Sequence, residues 1–158
     1  MTLITLQHAL PTTTEVAPTA ASALQKLLPN LMALALDAKQ AHWNVTGPAF
    51  LALHDLTDKL AADALGWADR VAERTVALGF PADGRPGTVA AAARPFLIGR
   101  LSDCEAIDEL DRLLQDVAAR ARAALDVLAR SDTVGHDLVV STLEGLEKYR
   151  WMLHAHAT

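Results

Sequence analysis

The chain has 158 residues, 51% of them hydrophobic and 21% charged, which fits one soluble globular domain and excludes disorder of the whole chain. Its formal charge is −5 and its first basic residue is Lys26, so the chain as a whole repels nucleic-acid phosphates and has no basic N-terminal arm to release counterions. The lone Cys104 cannot form an internal disulfide, no apolar run reaches the roughly 18 residues of a membrane span, and no basic region of a signal peptide opens the chain. A cytoplasmic protein is expected.

Alanine and leucine dominate and only 4% of residues are aromatic, which favours helix because these side chains lose little rotamer freedom there. Residues 1–18, threonine-rich with Pro11 and Pro18, read as a flexible arm ahead of a domain spanning 19–158. A first helix follows, striped by Leu24, Leu27, Leu28, Leu31, Leu34 and Ala38, and Thr46-Gly47-Pro48 should end it. The second helix is predicted over 49–78 and stops at Gly79-Phe80-Pro81. Residues 82–101 form a long connection with a short helix expected over 89–94. Ser102 and Glu105 then make a capping box that opens a third helix, and Ser131-Asp132 introduces a fourth. The pattern predicts an all-α fold, a four-helix bundle whose halves are joined by a crossover.

Chemistry concentrates on the second helix. His54 and Asp58 are four residues apart, as are Asp69 and Glu73, so each pair shares a helical face. The eleven residues from Asp58 to Asp69 make about three turns but span on the order of 16 Å, too far for both pairs to hold one ion in a single chain. Two copies crossing antiparallel about a two-fold axis remove that difficulty: His54 and Asp58 of one meet Asp69 and Glu73 of the other, twice. The crossing is predicted near residues 63 and 64, with Ala61, Ala62, Ala64 and Gly66 permitting close approach. Docking of the first two helices could add His42, giving two imidazoles and three carboxylates, a set suited to iron and other borderline divalent ions. The alternative is surface chemistry, with Asp69 and Glu73 paired to Arg70 and Arg74 and His42 a satisfied core residue.

The run His42-Trp43-Asn44-Val45, then Gly47, Phe50, Leu53-His54 and Asp58, then Asp69, Ala72-Glu73-Arg74 and Leu78-Gly79, resembles the Dps family, ferritin-like DNA-binding proteins from starved cells. Asp132-Thr133, Leu146-Glu147-Lys148 and Trp151 extend the resemblance, which covers about residues 20–155. It implies a ferritin-like four-helix bundle with a short helix between helices 2 and 3, assembled into a hollow homododecamer. It further implies ferroxidase centres between subunits, with His42, His54 and Asp58 from one and Asp69 and Glu73 from its mate. There Fe(II) would be oxidised, preferably by hydrogen peroxide rather than oxygen, and Fe(III) stored as mineral in the cavity. Trp43 would either intercept oxidising equivalents or simply pack at the interface. Ordinary ferritins build their centre inside one bundle with Glu-x-x-His, which this chain lacks.

Such shells need acidic pores, for which Asp126, Asp132 and Asp137 are the candidates, the other reading being capping and a solvated turn. DNA binding is expected to be weak or absent near neutral pH, leaving open a positive patch on the assembled surface and a nucleoid location. His8, His154 and His156 are candidates for an accessory metal site or, more plainly, solvated tails, and Cys104 is expected to be inert.

Overall fold

The computed structural model describes residues 16–156, the His156 side chain excepted, so His8 and most of the predicted arm lie outside the described residues. The apolar stripes become four long helices, α1 (Ala17–Asn44), α2 (Phe50–Ala77), α4 (Asp103–Ser131) and α5 (Thr133–His156), with the short α3 (Pro86–Ala92) in the crossover. α1 starts early enough to take Pro18 into its first turn, where a missing N–H costs nothing. α3 lies about three residues upstream of the predicted span because Pro86 opens it, while Pro95 holds Arg94 out of helical geometry.

α1 packs chiefly on α2 and α4 chiefly on α5, with α1 also against α4. The first pair is antiparallel, since His42 lies beside His54 at one end and Gln25 beside Asp83 at the other. Leu24, Leu31 and Leu34 of α1, Leu53 and Leu60 of α2, Leu110 and Leu114 of α4 and Leu146 of α5 form the centre of the core. Each such leucine contributes about 2 kcal/mol on leaving water. The buried hydroxyls of Thr57, Thr75 and Thr142 donate to the carbonyls one turn back, Leu53, Val71 and Leu138, so the core carries polar atoms without orphaning them.

Two short contacts fix the helix ends. Val45–Thr46 (β1) pairs in parallel with Leu101–Ser102 (β2), which ties the α1–α2 corner to the start of α4. The Thr46 hydroxyl also donates to the Leu101 carbonyl at 3.0 Å. The predicted capping box is present, with Glu105 N–H donating to Ser102 Oγ and Ser102 N–H to Glu105 Oε2. α4 and α5 are separated by Asp132 alone. Among the described residues no helix is long and apolar enough to cross a membrane.

Candidate metal centre

The α1–α2 corner brings the two histidines together. Their rings stack at 3.6 Å between centroids, 20° from parallel. Each is locked by the other's backbone: His42 Nδ1 lies 2.8 Å from the His54 carbonyl and His54 Nδ1 lies 2.9 Å from the His42 carbonyl. A carbonyl oxygen only accepts, so both Nδ1 atoms carry the proton, and in the neutral rings both Nε2 atoms present a lone pair. Hydrogen bonding of this kind orients imidazoles for metal ligation. β1 and β2 support the pair by holding the corner, and Phe50 packs 5.1 Å from the His54 ring.

Asp58 lies one turn beyond His54, exposed, and its carboxylate meets Lys39 of α1, with Nζ 2.6 Å from Oδ1. The Lys39 hydrogen bond, then its charge, holds the Asp58 carboxyl below the usual carboxylate range. Lys39 therefore occupies a cation's place beside the half-site, a partner the sequence reading missed. The ammonium also lies 5.9 Å from the ring of the exposed Trp43.

Asp69 and Glu73 are exposed and have no partner among the described residues. The alternative pairing of Glu73 with Arg74 is not made, because Arg74 turns to Asp132, with Nε 2.9 Å from Oδ2 and a terminal nitrogen 2.5 Å from Oδ1. Among the described residues no three His, Cys, Asp or Glu side chains gather into a metal-binding group, and the five predicted ligands fall into two separate groups, His42, His54 and Asp58 at the α1–α2 corner and Asp69 and Glu73 farther along α2.

All of these ligands but His42 lie on a single stripe of α2. Leu51, Asp58, Ala62, Leu65, Asp69, Glu73 and Val76 are all exposed at steps of three, four or seven residues along α2, with the half-buried His54 in the same row. The stripe is symmetric: 51 with 76, 54 with 73, 58 with 69 and 62 with 65 all share a midpoint between Asp63 and Ala64. An antiparallel copy centred there would set Leu51 against Val76, the small Ala62 against Leu65, His54 against Glu73 and Asp58 against Asp69. The small residues predicted at this crossing need correction: Ala61 and Ala64 are 3% and 0% exposed and face their own bundle, leaving Ala62 and Gly66 on the outer side.

Of the pore candidates, Asp126 and Asp137 are exposed on either side of the helix turn. Asp132 is buried, its carboxylate held by Arg74 and by the Gly135 N–H at 3.0 Å, so it caps α5 and any lining role would compete with Arg74. His154 lies with Nε2 3.0 Å from Asp111 Oδ1, beside the Arg150–Asp111 pair. Cys104 is exposed.

Residues 21–158 match the family described as ferritin-like domain. The chain is 33% identical to a DNA protection during starvation protein of Mycolicibacterium smegmatis over 86% of its own length and 75% of that protein. It is 32% identical to a fine tangled pili major subunit of Haemophilus ducreyi over 86% of its length and 73% of that chain. Among solved structures, Dps from Microbacterium arborescens in the high iron form superposes with a TM-score of 0.88 at 35% identity, covering 92% of this chain and 97% of that one. The ferritin-like bundle and these relatives together place the chain in the Dps family of ferritin-like proteins.

Proposed function

We propose that the protein is a ferroxidase and iron store, oxidising Fe(II) at centres shared between two subunits of a hollow dodecamer. The observation that carries this reading is the symmetric stripe of α2, with His54 and Asp58 at one end, His42 of α1 stacked on His54 so that both imidazoles are oriented, and two unpaired carboxylates at the other end. His42, His54 and Asp58 of one subunit and Asp69 and Glu73 of the next would hold the iron. Carboxylates favour the hard Fe(III) product, and the neutral imidazoles limit the negative charge of the site. Hydrogen peroxide is the preferred oxidant, each molecule taking one electron from each of a pair of Fe(II) ions, which removes both reagents of hydroxyl-radical formation.

Iron oxide would collect in the shell cavity, with Asp126 and Asp137 as pore candidates drawing cations inward. The high iron form recorded for the Microbacterium arborescens protein supports the storage role. The cytoplasm is the proposed location. Relatives carry the name DNA protection during starvation protein, but with residues 1–25 free of Lys and Arg we propose protection by removal of iron and peroxide rather than by coating DNA. A shift of duplex DNA by the assembled protein at physiological salt would contradict that part.

Anaerobic titration with Fe(II) followed by peroxide tests the reading. The wild type should oxidise about two Fe(II) per centre in a fast phase, as a paired-metal site requires. The double variant His42→Ala, Asp58→Ala should lack that phase, and equal rates in the two proteins would refute the assignment.

A further inference from the structure

α2 and α5 diverge on the side away from the α1–α4 contact, and the groove between them is lined by Leu56, Lys59, Asp63, Trp67, Glu144 and Tyr149. At its floor lies the chain's single tyrosine. Tyr149 is 7% exposed and donates its hydroxyl to Asp63 Oδ2 at 2.7 Å. Trp67 meets the tyrosine ring edge-on, with centroids 6.3 Å apart and planes at 73°. Its own position is fixed by Gly145, where any Cβ would collide with the Trp67 six-membered ring. Trp67 is half-buried and only two residues, about 3 Å of helix rise, from Asp69.

Packing alone would not require this arrangement. A phenol surrenders an electron readily only if its proton leaves at the same time, and a buried tyrosine has no water to receive it. Asp63 supplies the acceptor at hydrogen-bond distance, so the proton has a place to go. An indole in edge contact with the phenol supplies the entry for an oxidising equivalent, because ring contact is short enough for rapid electron transfer.

We propose that Trp67, Tyr149 and Asp63 form a redox unit that collects one-electron oxidising equivalents and stores them as a tyrosyl radical on Tyr149. A radical oxidant, of the hydroxyl-radical class, first takes one electron from Trp67 and leaves as its anion, giving the indole radical cation. Tyr149 then returns one electron to Trp67 while its hydroxyl proton passes to the Asp63 carboxylate. The products are neutral Trp67, the neutral Tyr149 phenoxyl radical and protonated Asp63, so charge and atoms balance. The unit rests on the ferroxidase reading only for the natural source of the oxidant, the one-electron leak in which a centre holding a single Fe(II) ion reduces hydrogen peroxide and yields Fe(III), hydroxide and the hydroxyl radical.

Pulse radiolysis of the metal-free assembled protein with azidyl radicals tests the unit without iron. The indole radical should decay as the tyrosyl radical rises, and with one tyrosine in the chain that signal can come only from Tyr149. Tyr149→Phe, which keeps the ring in place, should abolish the tyrosyl signal and leave the indole radical long-lived. Trp67→Phe should remove the fast transfer, whereas Trp151→Phe should not. Asp63→Asn should slow the transfer and lower its solvent deuterium isotope effect. Absence of a tyrosyl signal in the wild type overturns the proposal. So does transfer unaffected by Trp67→Phe or by Asp63→Asn. A second arm supplies Fe(II) and peroxide and follows the same radical by electron paramagnetic resonance. Transfer under azidyl but none under iron and peroxide would overturn only the iron centre as the source of the oxidant.

Discussion

The proposed sharing of the site between two subunits makes a complementation prediction whose size follows from symmetry. One variant carries His42→Ala, His54→Ala and Asp58→Ala, losing the first half-site; a second carries Asp69→Ala and Glu73→Ala, losing the other. Each alone has no complete centre. In a mixed two-fold pair, the centre built from the intact half of each subunit is whole and the other is doubly broken, so one of two centres works. With equal amounts and random pairing, half of the pairs are mixed, and about a quarter of wild-type centres should be restored. The alternative, a centre within one chain, restores none. The 16 Å or so of helix between the half-sites is the physical reason to expect the first outcome. The assay co-refolds the denatured variants, confirms equal shell assembly by mass, and compares the fast peroxide-dependent Fe(II) oxidation phase with that of the wild type. A mixture no more active than its parents, with assembly intact, refutes the reasoning.

Three further outcomes follow from the same structure. Asp132→Ala should lower stability in urea denaturation by about 3 kcal/mol, because it strands the Arg74 charge and removes the α5 cap; the low end of the range applies since Arg74 keeps 20% exposure. Asp132→Asn should lose less, as the amide still caps. Asp37, pushed up to about 6 by burial and then by the nearby Glu109 charge, binds its proton more tightly folded than unfolded. Its ionisation therefore costs stability as pH rises from about 4 through 6, and Asp37→Asn should gain on the wild type across that window and keep the gain above it, with no difference below pH 4. Lys39→Met should tighten binding of Zn(II), a redox-silent probe, at the His42–Asp58 half-site by calorimetry; weaker binding would make Lys39 a support for Asp58 rather than a competitor of the metal.

The long helices and the box at Ser102 were legible because both depend on local spacing, three- and four-residue steps for the stripes and three residues for the cap. The shared helical face of His54 with Asp58 and of Asp69 with Glu73 was legible for the same reason, since all four lie on α2. What escaped depended on phase or on distant partners. Ala61, Ala62, Ala64 and Gly66 look alike in sequence, and only the rotation of α2 against α1 sends Ala61 and Ala64 inward. The bridge from Val45–Thr46 to Leu101–Ser102 spans over fifty residues in a two-residue pairing, too short for any period. Lys39 and Asp58 belong to different helices, so their meeting depends on the register the corner imposes. Asp132 shows the same limit: its charge is plain in sequence, its commitment to Arg74 is not.

Lys39 also bears on how an assembled centre would fill. Asp58, Asp69 and Glu73 bring three negative charges and Lys39 one positive, leaving a formal charge of −2 while both imidazoles are neutral. A first divalent ion would cancel that charge with Lys39 still in place, held for instance by the Asp69 and Glu73 carboxylates, whose like charges one turn apart repel each other. A second divalent ion would make the centre net positive and must contend with the ammonium at Asp58. In the proposed centre Lys39 would thus set the two ions apart electrostatically although the α2 stripe is symmetric, and its removal should tighten the second binding step more than the first.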